Sequence, residues 1–208
     1  MKRELFIAII GDLVKSRDLQ YRKDVQSKLL DVVKEINLEF KDSIASKFVI
    51  TIGDEFQGLV IKNFNLQKFL WTFNTSFGNQ FKTRFGIGFG PLDTGLNKEA
   101  LGMDGPCFHN ARSAITLAQR NSDSLLFKGF EADDALDVLY SIIHNIESNW
   151  TSSQREIMLL LNGGYSPQEI AKKIGVTKQT VSRHISTAKY EHYKDGWKGI
   201  NQLITNPF

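Results

Sequence analysis

A run of helix-start and helix-stop signals between residues 151 and 190 constrains the fold of this chain more than any other feature. Ser166 stands at a predicted N-cap with Glu169 three residues later, a spacing at which each side chain can bond the other's backbone amide. Gly175 suits the tight turn after that helix, and Thr177 suits the cap of the next one. These signals predict three short helices, the last two joined by a tight turn, which is a helix-turn-helix pattern.

The third of these helices has a polar outer surface. Val181, Ile185 and Ala188 recur at helical spacing and predict one buried face. The other positions carry hydrogen-bonding side chains and no acid, as a helix that enters the major groove of DNA requires. The residues predicted to contact double-stranded DNA are Thr177, Lys178, Gln179, Thr180, Ser182, Arg183 and Ser186. The alternative is a three-helix bundle that serves as a packing or dimerisation module.

The spacing of residues 169–171, 174–177 and 180–182 resembles the helix-turn-helix domains of sigma-factor region 4 and of LuxR-type regulators. The resemblance covers the segment from 151 to 190, where caps, turn glycine and apolar positions agree together. It implies a DNA-binding unit whose last helix reads the major groove.

Positive charge is concentrated in the same part of the chain. Residues 151–208 contain eight Lys/Arg and four Asp/Glu, a net charge of +4, whereas residues 1–150 contain 18 Lys/Arg and 19 Asp/Glu, a net charge of −1. Neutralisation of DNA phosphates requires such an excess. Because the excess is modest, we expect a weak monomeric binder that needs two copies on one site, as in a homodimer, or another protein on the same DNA.

Composition sets the broad class of the protein. A length of 208 residues with 41% hydrophobic content suffices for one good-sized core and a small appended bundle. The single cysteine, Cys107, excludes an internal disulfide and fits a reducing compartment. The apolar run from Leu5 to Ile10 is too short for a signal sequence or a membrane span. We therefore expect a cytoplasmic bacterial protein with no membrane partner.

The N-terminal part alternates strand and helix patterns. The predicted elements are a strand at 5–10, a helix at 19–40, strands at 48–52 and 56–61, a helix at 66–77 and a strand at 83–89. This is the β-α-β-β-α-β order of a ferredoxin-like domain. A helix at 108–119, a strand at 124–127 and a helix at 133–146 extend it. The predicted fold class is α+β, with a ferredoxin-like domain followed by a small all-α helix-turn-helix domain.

This topology predicts that two acidic residues meet. The C-terminal end of the first strand lies at the same edge of the sheet as the turn between the second and third strands, so Asp12 and Asp54 should converge. Two carboxylates at one site suit Mg²⁺, which takes one or two carboxylates together with water and phosphate oxygens. Glu55 is the weaker ligand candidate, because the pleat of the strand is expected to point it away from Asp54.

Basic groups near these acids predict a phosphate site. The residues expected to bind phosphate are Lys15, Ser16 and Arg17, in the loop before the first helix, and Arg84, at the start of the fourth strand. On that strand Gly86, Gly88 and Gly90 alternate with larger residues and leave one face without side chains. Either a ligand or a packed helix is expected to approach there.

Three short motifs carry a resemblance to known enzymes: Gly11-Asp12, residues 51–56 (TIGDEF) and residues 84–88 (RFGIG). They resemble the palm domain of class III nucleotidyl cyclases and diguanylate cyclases, in which paired aspartates bind two metal ions that hold a triphosphate. The resemblance implies that Asp12 and Asp54 bind Mg²⁺ or Mn²⁺ together with a nucleotide. With the helix-turn-helix, the whole chain is similar to the SatD family of small bacterial proteins.

The chain also departs from the cyclase pattern. Cyclases that use ATP place a base-reading lysine where this chain has Ile50, and diguanylate cyclases have two glycines where it has Ile52-Gly53. In cyclases an asparagine and an arginine stand four residues apart on a late helix, whereas Asn110 and Arg112 stand two apart and cannot share a helix face. Metal and phosphate binding should survive these changes better than turnover does.

The predicted domains are a cyclase-like domain at 1–130, a connecting helix at 131–150 and a helix-turn-helix domain at 151–208. Three functions fit them. The first is a transcriptional regulator whose N-terminal domain binds a metal–nucleotide ligand or dimerises. The second is a nucleotidyl cyclase or nucleotidyltransferase tethered to DNA. The third is an inactive palm that serves only as a dimer interface. The first is preferred, because the DNA-reading surface is complete and the catalytic set is not.

Overall fold

The computed structural model of the protein describes residues 4–14, 22–77 and 82–205. In those ranges the chain forms five strands and eight helices, a mixed α+β architecture. The strands are β1 (Leu5–Leu13), β2 (Ile44–Ile50), β3 (Phe56–Val60), β4 (Thr83–Pro91) and β5 (Leu125–Lys128). The helices are α1 (Arg22–Glu39), α2 (Leu66–Phe77), α3 (Pro106–Asn121), α4 (Asp133–Ser148), α5 (Ser152–Asn162), α6 (Pro167–Ile174), α7 (Lys178–Thr187) and α8 (Tyr190–Thr205).

The five strands form one sheet in the order β2-β3-β1-β4-β5. The central strand β1 pairs antiparallel with both β3 and β4, and it is buried from Phe6 to Ile10. The edge strand β5 pairs parallel with β4. The first six elements therefore follow the predicted β-α-β-β-α-β order, and the apolar run at the N-terminus is the predicted buried central strand.

The second strand differs from its predicted bounds of 48–52. β2 begins at Ile44 and ends at Ile50, with irregular register against β3. Its early residues are held by a distant part of the chain, since the Ser46 hydroxyl donates a hydrogen bond of 2.5 Å to the carbonyl of Asn97. A contact between residues so far apart in sequence has no local signal, and the predicted strand therefore began too late.

One face of the sheet is covered by α1 and α2 through a core of phenylalanine rings. The rings of Phe56 and Phe73 stack with their centroids 4.8 Å apart, and Phe85 meets Phe73 edge-on at 5.4 Å. Both geometries are favourable for aromatic pairs. α1 is fixed to β2 by Asn37, whose side-chain amide exchanges two hydrogen bonds of 2.8 Å with the backbone of Phe48.

The opposite face is covered by α3, which lies directly against the backbone of β4. A Cβ atom at Gly86 or Gly88 would collide with the backbone of Ala111, because the helix and the strand are in contact there. Asn110 reinforces the contact by donating a hydrogen bond of 2.8 Å to the carbonyl of Phe89. The close approach predicted from the glycines is therefore that of a packed helix. Cys107 is buried in this interface, where burial raises the pKa of its thiol to about 11.

The chain divides into two compact units. One extends to Asp137 and takes in the chain from Leu203 onward, and the other spans Val138–Gln202. The division falls inside α4, within the segment 131–150 that the sequence predicts as a connecting helix. None of the helices in the described part of the chain is long and apolar enough to cross a membrane.

The second unit contains the predicted helix caps. The Ser166 hydroxyl accepts a hydrogen bond from the Glu169 amide, and the Glu169 carboxylate accepts one of 2.8 Å from the Ser166 amide. Gly175 ends α6 in the left-handed conformation, with φ of 72°. The hydroxyl of Thr177 caps α7 by accepting a hydrogen bond of 3.1 Å from Thr180. The core of this unit includes Trp150, Ile157, Met158, Ile170, Val181, Tyr193 and Trp197.

Because α3 contacts the backbone of β4, we expect one methyl group added to β4 to lower the free energy of unfolding considerably. Gly88→Ala would force the Cβ atom into the helix backbone, and we expect it to destabilise the fold by at least about 2 kcal/mol. The matched control is Gly95→Ala, because a Cβ there meets nothing within 4 Å and should change stability by about 0.5 kcal/mol or less. Urea unfolding measures both values, and equal stability of the two variants would contradict this packing.

Candidate functional site

The predicted convergence of Asp12 and Asp54 is present at one edge of the sheet. Gly11 pairs with Phe56 across β1 and β3, so the end of β1 lies beside the turn between β2 and β3. That turn is closed by a hydrogen bond of 3.0 Å from the Glu55 amide to the Ile52 carbonyl. The negative charge of Asp54 acts on Asp12 strongly enough to contribute to raising the pKa of Asp12.

Asp12 occupies a confined position between β4 and α3. Its carboxylate accepts a hydrogen bond of 2.7 Å from the side-chain amide of Gln119, and the Arg84 guanidinium lies 3.4 Å away. Only 15% of the Asp12 side chain is exposed. Burial raises the pKa of Asp12, Gln119 and Arg84 oppose that rise, and the charges of Asp54 and Glu55 add to it. The net result is a pKa above the ordinary value of an aspartate.

Glu55 lies near Asp12 as well, since its charge also contributes to raising the pKa of Asp12, and Asp12, Asp54 and Glu55 together form an acidic cluster. Its carboxylate is held at two points by the Arg112 guanidinium, one of them a hydrogen bond of 2.7 Å, and by the Thr51 hydroxyl at 2.9 Å. The hydrogen bonds from Arg112 lower the pKa of Glu55 more than burial raises it. Glu55 therefore faces α3, as Asp12 does.

Asn110 and Arg112 point in different directions from α3, as their spacing predicts. The amide of Asn110 is engaged with the backbone of β4, whereas Arg112 reaches across to the turn that carries Glu55. Arg112 also acts on Asp12, since the charge of Asp12 contributes to raising the pKa of Arg112. Asn110 of α3 thus has a structural role, and Arg112 of the same helix contacts the acidic cluster through Glu55.

The donor set fits a metal ion only together with a ligand that brings its own oxygens. Within residues 4–14, 22–77 and 82–205, no group of three or more His, Cys, Asp or Glu side chains has the arrangement of a metal site. Asp12 and Asp54 are two carboxylates, and Mg²⁺ commonly completes such a pair with water and phosphate oxygens. Two guanidiniums, those of Arg84 and Arg112, stand beside them and suit phosphate.

Part of the predicted phosphate site is not described. Lys15, Ser16 and Arg17 lie outside the described residues. Arg84 is at the predicted edge, paired with Asp12. Sequence reasoning missed Gln119 as a member of the site. Its position seven residues after Arg112 places both on one side of a helix, and this periodicity is the signal that could have found it.

The residues predicted to contact DNA lie at the start of α7 and on its exposed side. Thr177, Lys178, Gln179, Ser182, Arg183 and Ser186 are exposed, and Thr180 is half-buried. Val181 and Ala188, which were predicted to face inward, are buried, and Ile185 is half-buried. The hydroxyls of Thr177 and Thr180 are 2.9 Å apart and take part in the helix cap.

Comparison with known proteins places the chain in a family. The family model described as the SatD family matches residues 6–201. The chain belongs to the SatD family. No curated protein shows significant similarity to this SatD-family protein. Its fold is similar to two structures of a bacterial light-regulated adenylyl cyclase. The first has 14% identity and a TM-score of 0.46 over 61% of this chain and 77% of the cyclase, and the second has 13% identity and a TM-score of 0.46 over 61% and 43%.

The pKa shifts of Asp12 and Glu55 have opposite directions, so we expect ionisation of the two residues to have opposite effects on stability. The pKa of Asp12 is raised, so ionised Asp12 costs stability above its folded pKa, and the cost disappears as pH falls below the ordinary value of 3.8. Asp12→Asn should therefore be more stable than the natural protein at neutral pH, with the difference fading in acid. Urea unfolding at a series of pH values, with a chelator present, measures it.

Glu55 is the matched comparison for this prediction. Its pKa is lowered, so ionised Glu55 contributes stability above the ordinary value of 4.5, and that contribution is lost as pH falls through the folded pKa. Glu55→Gln should destabilise the protein at neutral pH and have little effect in acid. If both variants shift stability in the same direction at neutral pH, the assignment of the two environments is wrong.

Proposed function

We propose that this SatD-family protein is a DNA-binding transcriptional regulator, in which α6, the turn at Gly175 and α7 form the helix-turn-helix. The observation that carries the proposal is the outer side of α7, which is exposed, free of acidic residues and rich in hydrogen-bonding side chains. Groove-reading helices present this kind of surface. The caps at Ser166 and Thr177 fix where each of the two helices begins.

The net charge of +4 in residues 151–208 supports the same proposal. Lys178 and Arg183 project from the exposed side of α7, and Lys172 and Lys173 add positive charge to the last turn of α6. Four cations on two adjacent helices can neutralise phosphates on both sides of a groove. Since the total excess is small, a homodimer on a two-fold site is the arrangement that gives useful affinity.

We infer further that the N-terminal domain is a cyclase-like sensor for a metal–nucleotide ligand. Asp12 and Asp54 would hold Mg²⁺ or Mn²⁺, which would bridge to the phosphates, and Arg84 and Arg112 would contact those phosphates. The two ion pairs support this reading, because they keep guanidiniums beside the carboxylates and ready for a phosphate group.

An active nucleotidyl cyclase or nucleotidyltransferase tethered to DNA is the second candidate, favoured by the same pair of carboxylates. The engagement of Asn110 with the carbonyl of Phe89 argues against it, because that amide is committed to structure. Pyrophosphate release from nucleoside triphosphates with Mn²⁺ distinguishes the two, and the regulator is expected to release none.

The DNA proposal predicts the effect of two substitutions on α7. Lys178→Ala and Arg183→Ala should each weaken binding to duplex DNA, with a loss of about 1–3 kcal/mol where a base contact is removed. Removal of a phosphate contact should also reduce the slope of log affinity against log salt by about 1. Fluorescence anisotropy over a range of salt concentrations measures both quantities.

The control for this experiment is Lys194→Ala on α8, which removes the same charge from an exposed lysine paired with Glu191. Its affinity and salt slope should stay close to those of the natural protein. If the α7 variants behave like this control, α7 does not contact DNA.

The sensor proposal predicts a thermal shift that depends on both acids. Mg²⁺ with a nucleoside triphosphate should raise the Tm of the natural protein, since a ligand that binds only the folded state stabilises it. Asp12→Asn and Asp54→Asn should abolish the shift, and Asp42→Asn, an exposed aspartate before β2, should retain it. If no nucleotide shifts the Tm of the natural protein, the sensor proposal is wrong and the dimerisation alternative gains support.

A further inference from the structure

One side of α4 carries apolar side chains that are exposed to water. Val138 is 59% exposed and Ile142 is 54% exposed, and their spacing of four residues places them one above the other on the helix. Another side of α4 is covered by α8, since Ile143 is buried and a Cβ atom at Gly196 would lie 2.7 Å from its Cγ1 atom. Val138 and Ile142 therefore lie outside the contact with α8.

The exposed side of this continuous helix is polar at both ends and neutral in the middle. Asp134 precedes Val138 by four residues and Asn145 follows Ile142 by three, so all four share one side of α4, and both polar residues are exposed. Residues 138–146 contain no Lys, Arg, Asp or Glu. An apolar side without these charges can contact an identical side without repulsion between like charges, which fits a second copy of the chain.

The charge at the start of α4 favours an antiparallel contact between two copies. In a parallel pair each Asp134 would lie beside Asp134 of the second copy, and the two carboxylates would repel each other. In an antiparallel pair centred near residue 140, Val138 of each copy faces Ile142 of the other. Asp134 then lies near Asn145 of the second copy, whose side-chain amide can donate a hydrogen bond to a carboxylate.

We propose that this side of α4 binds the same side of a second copy of the chain, antiparallel and with a two-fold axis near residue 140. The inference rests on the proposed DNA-binding function, which calls for two copies on a two-fold DNA site. Stable interfaces bury about 1,200–2,000 Å², and two apolar side chains from each copy cover far less. The dimer is therefore weak without DNA, with a Kd of roughly 10–1,000 µM, and the DNA site brings its two copies together.

The test is sedimentation equilibrium of the full chain without DNA, at concentrations from about 10 to 1,000 µM. Ile142→Glu and Val138→Lys should each raise the Kd of the dimer by roughly tenfold or more, because each places a charge against an apolar side chain. The double variant with both substitutions should return to within about threefold of the natural Kd, because each lysine then faces a glutamate of the second copy. A parallel pair would place like charges together, and the double variant would stay monomeric.

The matched control is Leu159→Glu, which adds the same charge at an exposed apolar position on α5 and should leave the Kd unchanged. Circular dichroism confirms that every variant is folded. A natural chain that stays monomeric at the highest concentration, an unchanged Kd in both single variants, or a double variant that is not restored would overturn this interface. These outcomes involve no DNA and leave the contact of α7 with DNA standing, whereas a natural protein that fails to bind duplex DNA would overturn the proposed function.

Discussion

The direct contact between α3 and the backbone of β4 sets the geometry on which the N-terminal site depends. Gly86 and Gly88 have no side chains, so the helix lies closer to the sheet than any larger residue would permit. This closeness lets Gln119 reach Asp12 and lets Arg112 reach the turn that carries Glu55. A helix lifted by one methyl group would lose these contacts at the sheet edge.

Burial and neighbouring charges shift the pKa values of Asp12 and Glu55 in opposite directions. Asp12 is confined and mainly desolvated, which raises its pKa, whereas Glu55 receives a two-point contact from a guanidinium, which lowers its pKa. Ionised Asp12 is desolvated, so a cation would stabilise its charge, and the two arginines close by would stabilise an anion. A metal-bound phosphate supplies both, and this physical argument supports the sensor proposal.

The sequence predicted the features that depend on local periodicity and topology. It predicted the central strand and the capping box at Ser166, because an apolar run and cap spacing are local signals. It predicted the meeting of Asp12 with Asp54 from the order and direction of the strands. It did not predict that Glu55 faces α3 or that Gln119 belongs to the site, since both depend on how a distant helix packs. α8 was also missed, because its apolar positions follow α7 without a strong start signal.

We propose that Asp12 and Asp54 hold a divalent cation whose remaining positions are taken by phosphate oxygens. The most direct test is a crystal structure of the full chain grown with Mn²⁺ and a non-hydrolysable nucleoside triphosphate, with anomalous scattering measured for manganese. We predict an anomalous peak between the two carboxylates, with Arg84 or Arg112 turned toward the phosphates. A bound triphosphate elsewhere, with no manganese at this edge of the sheet, would contradict this metal site.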